Sequence, residues 1–452
     1  MAERSRSHIK DISGMKRVLI ITYYWPPSGG GGVMRWLKMS KYLPELGWQP
    51  VIYTPENPDP SVRDQSLETD VHPNTEIIRT PIWEPYDIYR RLTGKKSDTK
   101  FKSGYISEAA RGNWKDRLSV FLRGNLLIPD PRVFWVRPSI EFLRKYLANN
   151  PVDLMVTTGP PHSMHLIGTG LKKHFPEIPW LADFRDPWTE IDFYHRLKLT
   201  WLADTIHRKM EKKILKTADI VTTVSPYLKG ATEKLAGRRV DVIYNGFDPA
   251  DFNFEISTDN SFFTIAHFGA FNRDRNPSSL WRVLGGLKLE NPDFASVLKI
   301  KLIGQTDETI ITEIEEEGLL ENLGVYNHMQ HLEGLEQLAK SQILLLPLND
   351  APNVRGILPG KMYEYMALRR PIVAIGPPDG DFARILDETR TGYVHAFTDQ
   401  QGIKNTLTKL YKDFKTGKLE VNSSGYERFS RKNLALEIIN LPFASAADGN
   451  HQ

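Results

Sequence analysis

Residues 359–380 read Pro-Gly-Lys-Met-Tyr-Glu-Tyr-Met-Ala-Leu-Arg-Arg-Pro-Ile-Val-Ala-Ile-Gly-Pro-Pro-Asp-Gly. A Pro-Gly pair opens a short helical pattern from Lys361 to Leu368. An unbroken apolar run, Ile372 to Ile375, follows as a buried strand, and a Gly-Pro-Asp loop then opens a helix at Asp381. That order brings a cation (Lys361), a carboxylate (Glu364) and free backbone N–H groups to one edge of a sheet. The cation and the N–H groups suit a diphosphate, and the carboxylate suits a ribose diol. A first-turn Glu also complements the helix dipole, and that bland explanation stands beside the functional one. Lys361 weakens it, because a cation in the first turn is unfavourable unless an anion compensates.

Working outward, the same alternation recurs along 452 residues. Strands are expected at Arg17–Thr22, Val51–Thr54, Leu154–Thr158, Trp180–Asp183, Ile220–Val224 and Val240–Tyr244. A helix is expected from Val33 to Leu46. After a turn-rich stretch, strands resume at Phe263–Phe268, Leu298–Ile303, Ile343–Pro347 and Ile372–Ile375. Helices intervene at Ser278–Leu289, Asp307–Glu317, Glu333–Ser341 and Lys361–Leu368. Alternating strands and helices imply parallel sheets, and the length accommodates two domains. The expected layout is a tail over 1–14, a Rossmann-like domain over 15–247 with an aromatic, basic insertion at about 83–135, and a linker over 248–261. A second Rossmann-like domain over 262–441 and a tail over 442–452 complete it. The fold class is α/β, two doubly wound domains facing each other across a cleft, with ligands at the carboxyl ends of the strands.

Composition narrows the chemistry. Hydrophobic residues make up 40% and charged residues 25%, as in a globular protein. The absence of cysteine excludes a disulfide scaffold, thiolate metal sites and a cysteine nucleophile. A net charge of +4 and a pI near 8.8 suit an anionic substrate or membrane face, and fall short of a nucleic-acid-binding composition. No segment approaches the roughly 18 apolar residues of a membrane span, and residues 1–14 lack a signal-like apolar run. A cytoplasmic location, at the inner face of the cytoplasmic membrane, is the expectation.

Several motifs are similar to those of one family. Pro359–Ala367 with Arg370–Gly376 resembles the donor-nucleotide motif of family-four glycosyltransferases of the GT-B fold. Tyr244–Pro249 with Phe252 resembles the element closing that family's N-terminal domain. Ala182–Trp188 and Tyr24–Gly31 are similar to a branch acting in cell-surface polysaccharide assembly. The resemblance spans roughly residues 16–440. It implies transfer of a hexosyl or N-acetylhexosaminyl group from a UDP- or GDP-linked sugar to a glycan or polyprenyl-lipid-linked acceptor. It further implies retention of anomeric configuration, no metal and no cofactor beyond the nucleotide sugar. By the same resemblance Glu364 binds the ribose hydroxyls. Two departures stand out: Ile357 occupies the place of a second Glu, and Ala270 that of an Arg.

With Ala270 unable to contact phosphate, Arg273 and Arg275 are the nearest cations to join Lys361 on the diphosphate, and one of the two is expected to be a solvated loop charge. Gly29–Gly32, with Gly30 and Gly31 central, lets backbone approach a ligand at a helix start. It lacks the Gly-Lys-Ser/Thr of a Walker loop, and Arg35 stands where a dinucleotide fingerprint needs its third glycine. Asp183-Phe-Arg-Asp186 ends a buried strand, where its charges must pair with each other or with a ligand. Asp186 is the candidate for the acceptor hydroxyl, Arg185 holds the place of the family's His, and His162 or His165 is the alternative. Asp379 and Asp381 flank Gly380 at a helix start, where Asp is an expected cap, so a metal diad is rejected while the Gly376–Gly380 backbone is kept for the donor.

The segment Arg196–Thr217 has helical apolar spacing with Arg196, Lys198, Arg208, Lys209, Lys212 and Lys213. It reads either as a solvated basic face or as a contact with anionic lipid, and Arg90, Arg91, Lys95 and Lys96 add to the second reading. Two alternatives to transfer stay open: a nucleotide-sugar epimerase on the same fold, and a non-catalytic nucleotide- or glycan-binding partner in an assembly complex.

Overall fold

A computed structural model describes residues 14–59, 62–85, 120–121, 123–191, 194–255, 259–326 and 329–443. Residues 1–13 and 444–452 of the expected tails lie outside these, as do 256–258 of the linker. So does most of the expected insertion, including Arg90, Arg91, Lys95 and Lys96. The described chain divides into two units, one of residues up to Tyr244 together with Leu434 onward, the other from Asn245 to Asn433.

The first unit runs β1 (Lys16–Ile21), α1 (Gly31–Ser40), β2 (Trp48–Pro55), β3 (Glu76–Thr80), α2 (Val133–Asn149), β4 (Leu154–Gly159) and α3 (Ser163–Lys172). It continues with β5 (Trp180–Phe184), α4 (Trp201–Thr217), β6 (Ile220–Thr223), α5 (Pro226–Ala236) and β7 (Asp241–Val242). The strands form one parallel sheet in the order β3-β2-β1-β4-β5-β6-β7. Central strands are largely apolar because helices cover both faces of a parallel sheet. The pleat divides β1 accordingly. Leu19 and Ile21 enter the core shared with Leu143 of α2 and Ile167 of α3. Val18 and Ile20 enter the opposite core with Val33 and Leu37 of α1.

The expected helix to Leu46 stops at Ser40, and Leu43–Leu46 forms a separate 3₁₀ turn. Pro44 has no N–H to extend an α-helix, and Gly47 takes φ 80° to turn the chain into β2.

The second unit runs β8 (Phe263–Phe268), α6 (Ser278–Glu290), α7 (Pro292–Val297), β9 (Leu298–Ile303), α8 (Glu308–Glu316), β10 (Leu323–Tyr326) and α9 (His331–Ala339). It continues with β11 (Ile343–Pro347), α10 (Gly360–Ala367), β12 (Ile372–Ile375), α11 (Asp381–Thr389), β13 (Gly392–His395) and α12 (Gln400–Lys415). Its parallel sheet has the order β10-β9-β8-β11-β12-β13. Ile265, Ile300, Leu345 and Val373 of the sheet pack against Leu284 of α6 and Leu407 of α12. In both units the order reverses at the first strand, β1 or β8, the topological switch point where open α/β sheets bind ligands. The last helix, α13, spans Arg431–Ile439. The sequence reading carries the second domain to residue 441, whereas Leu434, Ala435 and Ile438 are buried in the first unit's core.

Candidate functional site

In the second unit the site begins where β8 ends. Gly269 adopts φ 108°, and a Cβ built there would lie 2.9 Å from the Lys361 Nζ. Gly304, at φ 124°, passes so close that its own Cβ would meet Gly269 O at 2.6 Å. The backbone therefore turns tightly past the lysine, and only glycine fits. Lys361 Nζ donates to Phe268 O at 2.8 Å and stands 3.2 Å from His267 Nε2. His267 Nδ1 is 3.0 Å from Leu345 O. A carbonyl only accepts, so Nδ1 carries the proton and Nε2 offers its lone pair to the lysine. Burial, and then Lys361, hold His267 neutral. Burial, then the Arg275 cation, lowers Lys361 to about 7, with Glu364 opposing. Phe268 N donates to Tyr365 Oη at 2.9 Å, tying α10 to the end of β8.

Glu364 sits one turn beyond Lys361 on α10 and keeps 22% of its side-chain surface. Its Oε1 is 3.4 Å from His331 Nε2, which is 3.9 Å from Asp251 Oδ2. Burial raises the Glu364 carboxyl pKa, moderated by His331. Arg275 is half-buried, its Nε donating to Asn349 Oδ1 at 2.6 Å. Thus Lys361, Glu364 and Arg275 share one neighbourhood, whereas Arg273 is exposed to solvent.

Asp379 accepts from Arg355 Nε at 2.8 Å, and Asp381 pairs with Arg384 at 2.8 Å. Gly380 precedes the first turn of α11. Asp379 and Gly380 line a cavity of about 590 Å³ with Arg384, Asp387, Tyr393 and His395. Lys361 and Glu364 do not line it. Ala270 is exposed, and Ile357 is half-buried after the turn Val354–Gly356.

The first unit has its own cluster at the carboxyl ends of β1, β4 and β5. Gly30 takes φ 86° at the start of α1, and neither Gly30 nor Gly31 has an atom within 4 Å of where a Cβ would be. Arg35 turns inward from α1. Its Nε and Nη2 donate to the two Asp183 oxygens at 3.0 and 2.9 Å, and its Nη1 to Tyr244 O at 2.7 Å. Asp183 also accepts from Trp36, Thr158 and Thr222. Burial opposes the Asp183 charge, yet Arg35 and these donors hold its pKa below the usual range. The pairing open at the strand end is therefore Asp183 with Arg35, an internal bond.

Arg185 directs its hydrogen bonds elsewhere, although its charge also favours the Asp183 carboxylate. Nη1 donates to Gly32 O at 2.9 Å and Nη2 to Pro160 O, while Nε is buried without a partner. Asp186, next in the chain, is exposed. His162 stacks parallel on Trp188, ring centres 4.8 Å apart. His165 is fully buried with Nδ1 2.8 Å from Thr157 Oγ1. His162 Nδ1 and His165 Nε2 have no hydrogen-bond partner, and they lie 3.0 and 2.6 Å from where a Gly159 Cβ would be. Burial depresses both imidazoles, His165 to about 3. Neutral rings, an arginine and a carboxylate at the strand ends can hydrogen-bond a polyhydroxylated ligand and accept a proton.

Residues 106–251 match the model of Glycosyltransferase Family 4. The chain resembles a family-four glycosyltransferase of the GT-B fold. No curated protein sequence matches it. Sucrose-phosphate synthase from Thermosynechococcus elongatus shares the fold, with a TM-score of 0.57 at 16% identity over 94% of this chain and 98% of that one. HepE of Anabaena, solved in complex with UDP-glucose, gives 0.54 at 14% identity over 94% and 98%. A Listeria monocytogenes structure provisionally named UDP-N-acetylglucosamine 2-epimerase gives 0.52 at 9% identity over 94% and 95%. The two sheets are the Rossmann-like domains of this fold, and the match supports a glycosyltransferase-type enzyme.

Beside the family-four motifs, the sequence reading missed His267, Trp188 and the inward role of Arg35. His267 carried a usable signal, the one titratable residue in the mostly apolar β8 run. Trp188 closes the Ala182–Trp188 motif without revealing its stacking on His162, and Arg35 carried no signal because Asp183 lies 148 residues away.

Proposed function

We propose that this protein transfers a hexosyl or N-acetylhexosaminyl group from a UDP- or GDP-linked sugar to a glycan or lipid-linked acceptor. The transfer retains anomeric configuration and serves cell-surface polysaccharide assembly at the cytoplasmic face of a membrane. The reading rests on one observation: Lys361 packs against the glycine turn at the end of β8, and Glu364 sits one turn further along α10. Glu364 accepts the ribose hydroxyls. Lys361 and Arg275 meet the diphosphate, with Arg273 joining from the loop. Asp379 and Gly380 take the donor end, and Gly30 and Gly31 offer open backbone N–H groups. As the sugar–phosphate bond breaks, negative charge grows on the departing diphosphate, and fixed cations stabilise it more than they stabilise the ground state. The acceptor oxygen forms the new bond to the anomeric carbon, and its proton passes to the departing diphosphate. Asp186, Arg185 and His162 orient that hydroxyl. No metal or cofactor is required in this scheme.

The test is a thermal-shift panel with UDP, GDP, ADP, TDP and CMP and their sugar conjugates, on wild type and Glu364→Ala. At about 100 times the dissociation constant, one nucleotide stabilises the fold by about 2.7 kcal/mol, and the variant loses the shift. No shift with any nucleotide overturns the donor site. The donor so found is then incubated without acceptor and its sugar followed by NMR. Inverted stereochemistry within the intact donor would identify an epimerase instead.

A further inference from the structure

Helix α4 presents an outward face that the donor site does not use. At 3.6 residues per turn, Trp201, Leu202, Lys209, Lys212, Lys213 and Lys216 fall within about a third of its circumference. Trp201 is 81% exposed and Leu202 61%. The four lysines are exposed, and none makes an ion pair among the described residues. The acids of the helix are engaged elsewhere. Asp204 accepts from Arg208 Nε at 3.0 Å and from Tyr194 Oη at 2.9 Å, and buried Glu211 accepts from Thr189 Oγ1 at 2.6 Å. The opposite face buries Ala203, His207, Ile214 and Leu215 in the unit. Leu126, 71% exposed, lies beside the helix start, since its neighbour Asn125 accepts from Thr200 N at 2.7 Å.

An indole and two leucines in water beside a row of unpaired lysines match a bilayer surface. The apolar groups enter the headgroup boundary while the ammonium groups meet lipid phosphates. A soluble polyanion would need only the lysines. Helix α12 makes the contrast: Lys409, Lys412 and Lys415 are exposed there, and the helix itself carries no exposed large apolar side chain. We propose that this face of α4 docks on an anionic lipid bilayer. The proposal extends the lipid-linked acceptor reading, but vesicle binding requires no nucleotide, so either can fail without the other.

The full chain is sedimented with vesicles of phosphatidylcholine, with and without phosphatidylglycerol. Binding is expected only with phosphatidylglycerol and is weakened by salt. Neutralising Lys209, Lys212 and Lys216 together to Gln lowers partitioning by about a hundredfold, at about fivefold per lysine. Trp201→Ser lowers it by about tenfold. Neutralising the exposed Lys412, Lys415 and Lys418 of the second unit leaves it unchanged. The proposal is overturned by phosphatidylglycerol-independent binding, by an α4 triple variant that binds like wild type, or by equal losses in both triples. Retention on heparin without vesicle binding also overturns it, in favour of a soluble polyanion.

Discussion

Lys361 Nζ stands 3.2 Å from Nε2 of His267, 94 residues earlier in the chain, and the histidine serves it as a neutral acceptor. The lysine donates a second hydrogen bond to Phe268 O, which leaves one of its three donors for a ligand.

Because burial brings Lys361 to about 7, nucleotide diphosphate binding should take up a proton. The anion favours the charged lysine and raises its pKa. Below pH 7 the lysine is already charged and affinity is flat. Above pH 7 affinity falls by up to about tenfold per pH unit, until the pKa of the complex is reached. Isothermal titration calorimetry at pH 8 in buffers of different ionisation enthalpy should record the uptake. Lys361→Gln should bind more weakly and lose the slope.

Asp183 and Arg35 form a bidentate pair with 1% and 2% of their side-chain surface exposed. Arg35→Met leaves a buried carboxylate without its counter-charge, and should cost about 3–5 kcal/mol. Arg35→Met with Asp183→Leu removes both charges and should cost less than the single change. The urea unfolding transition reads both.

His165 is fully buried and depressed to about 3, so the folded state refuses a proton that the unfolded chain accepts near 6.5. Its contribution therefore destabilises the fold as pH drops below 6.5. Between pH 7.5 and pH 5 it should remove about 2 kcal/mol. In His165→Gln the loss of stability over that interval should shrink by about this amount, measured by urea unfolding at both pH values.

The strands that were legible in the sequence are the inner ones. Leu19–Ile21, Leu154–Val156 and Leu344–Leu346 are apolar on both faces because helices cover both sides of the sheet. The strands that were not are β3, β10 and β13, all at sheet edges. Their residues are nearly all half-buried or exposed, and Glu76–Thr80 and Leu323–Tyr326 lack the continuous apolar run that marks a core strand. Pro44 cuts the first helix short.

Local order along the chain determined that two doubly wound α/β units would form, and that Lys361 and Glu364 would share one turn of helix, since propensity and periodicity act over a few residues. Only tertiary structure decided that Arg35, rather than Arg185, neutralises Asp183, 148 residues away, and that His267 accepts from Lys361. Such pairings depend on which strands lie side by side. The order β3-β2-β1-β4-β5-β6-β7 follows from packing and crossover handedness over the whole unit, and no local pattern of residues encodes it.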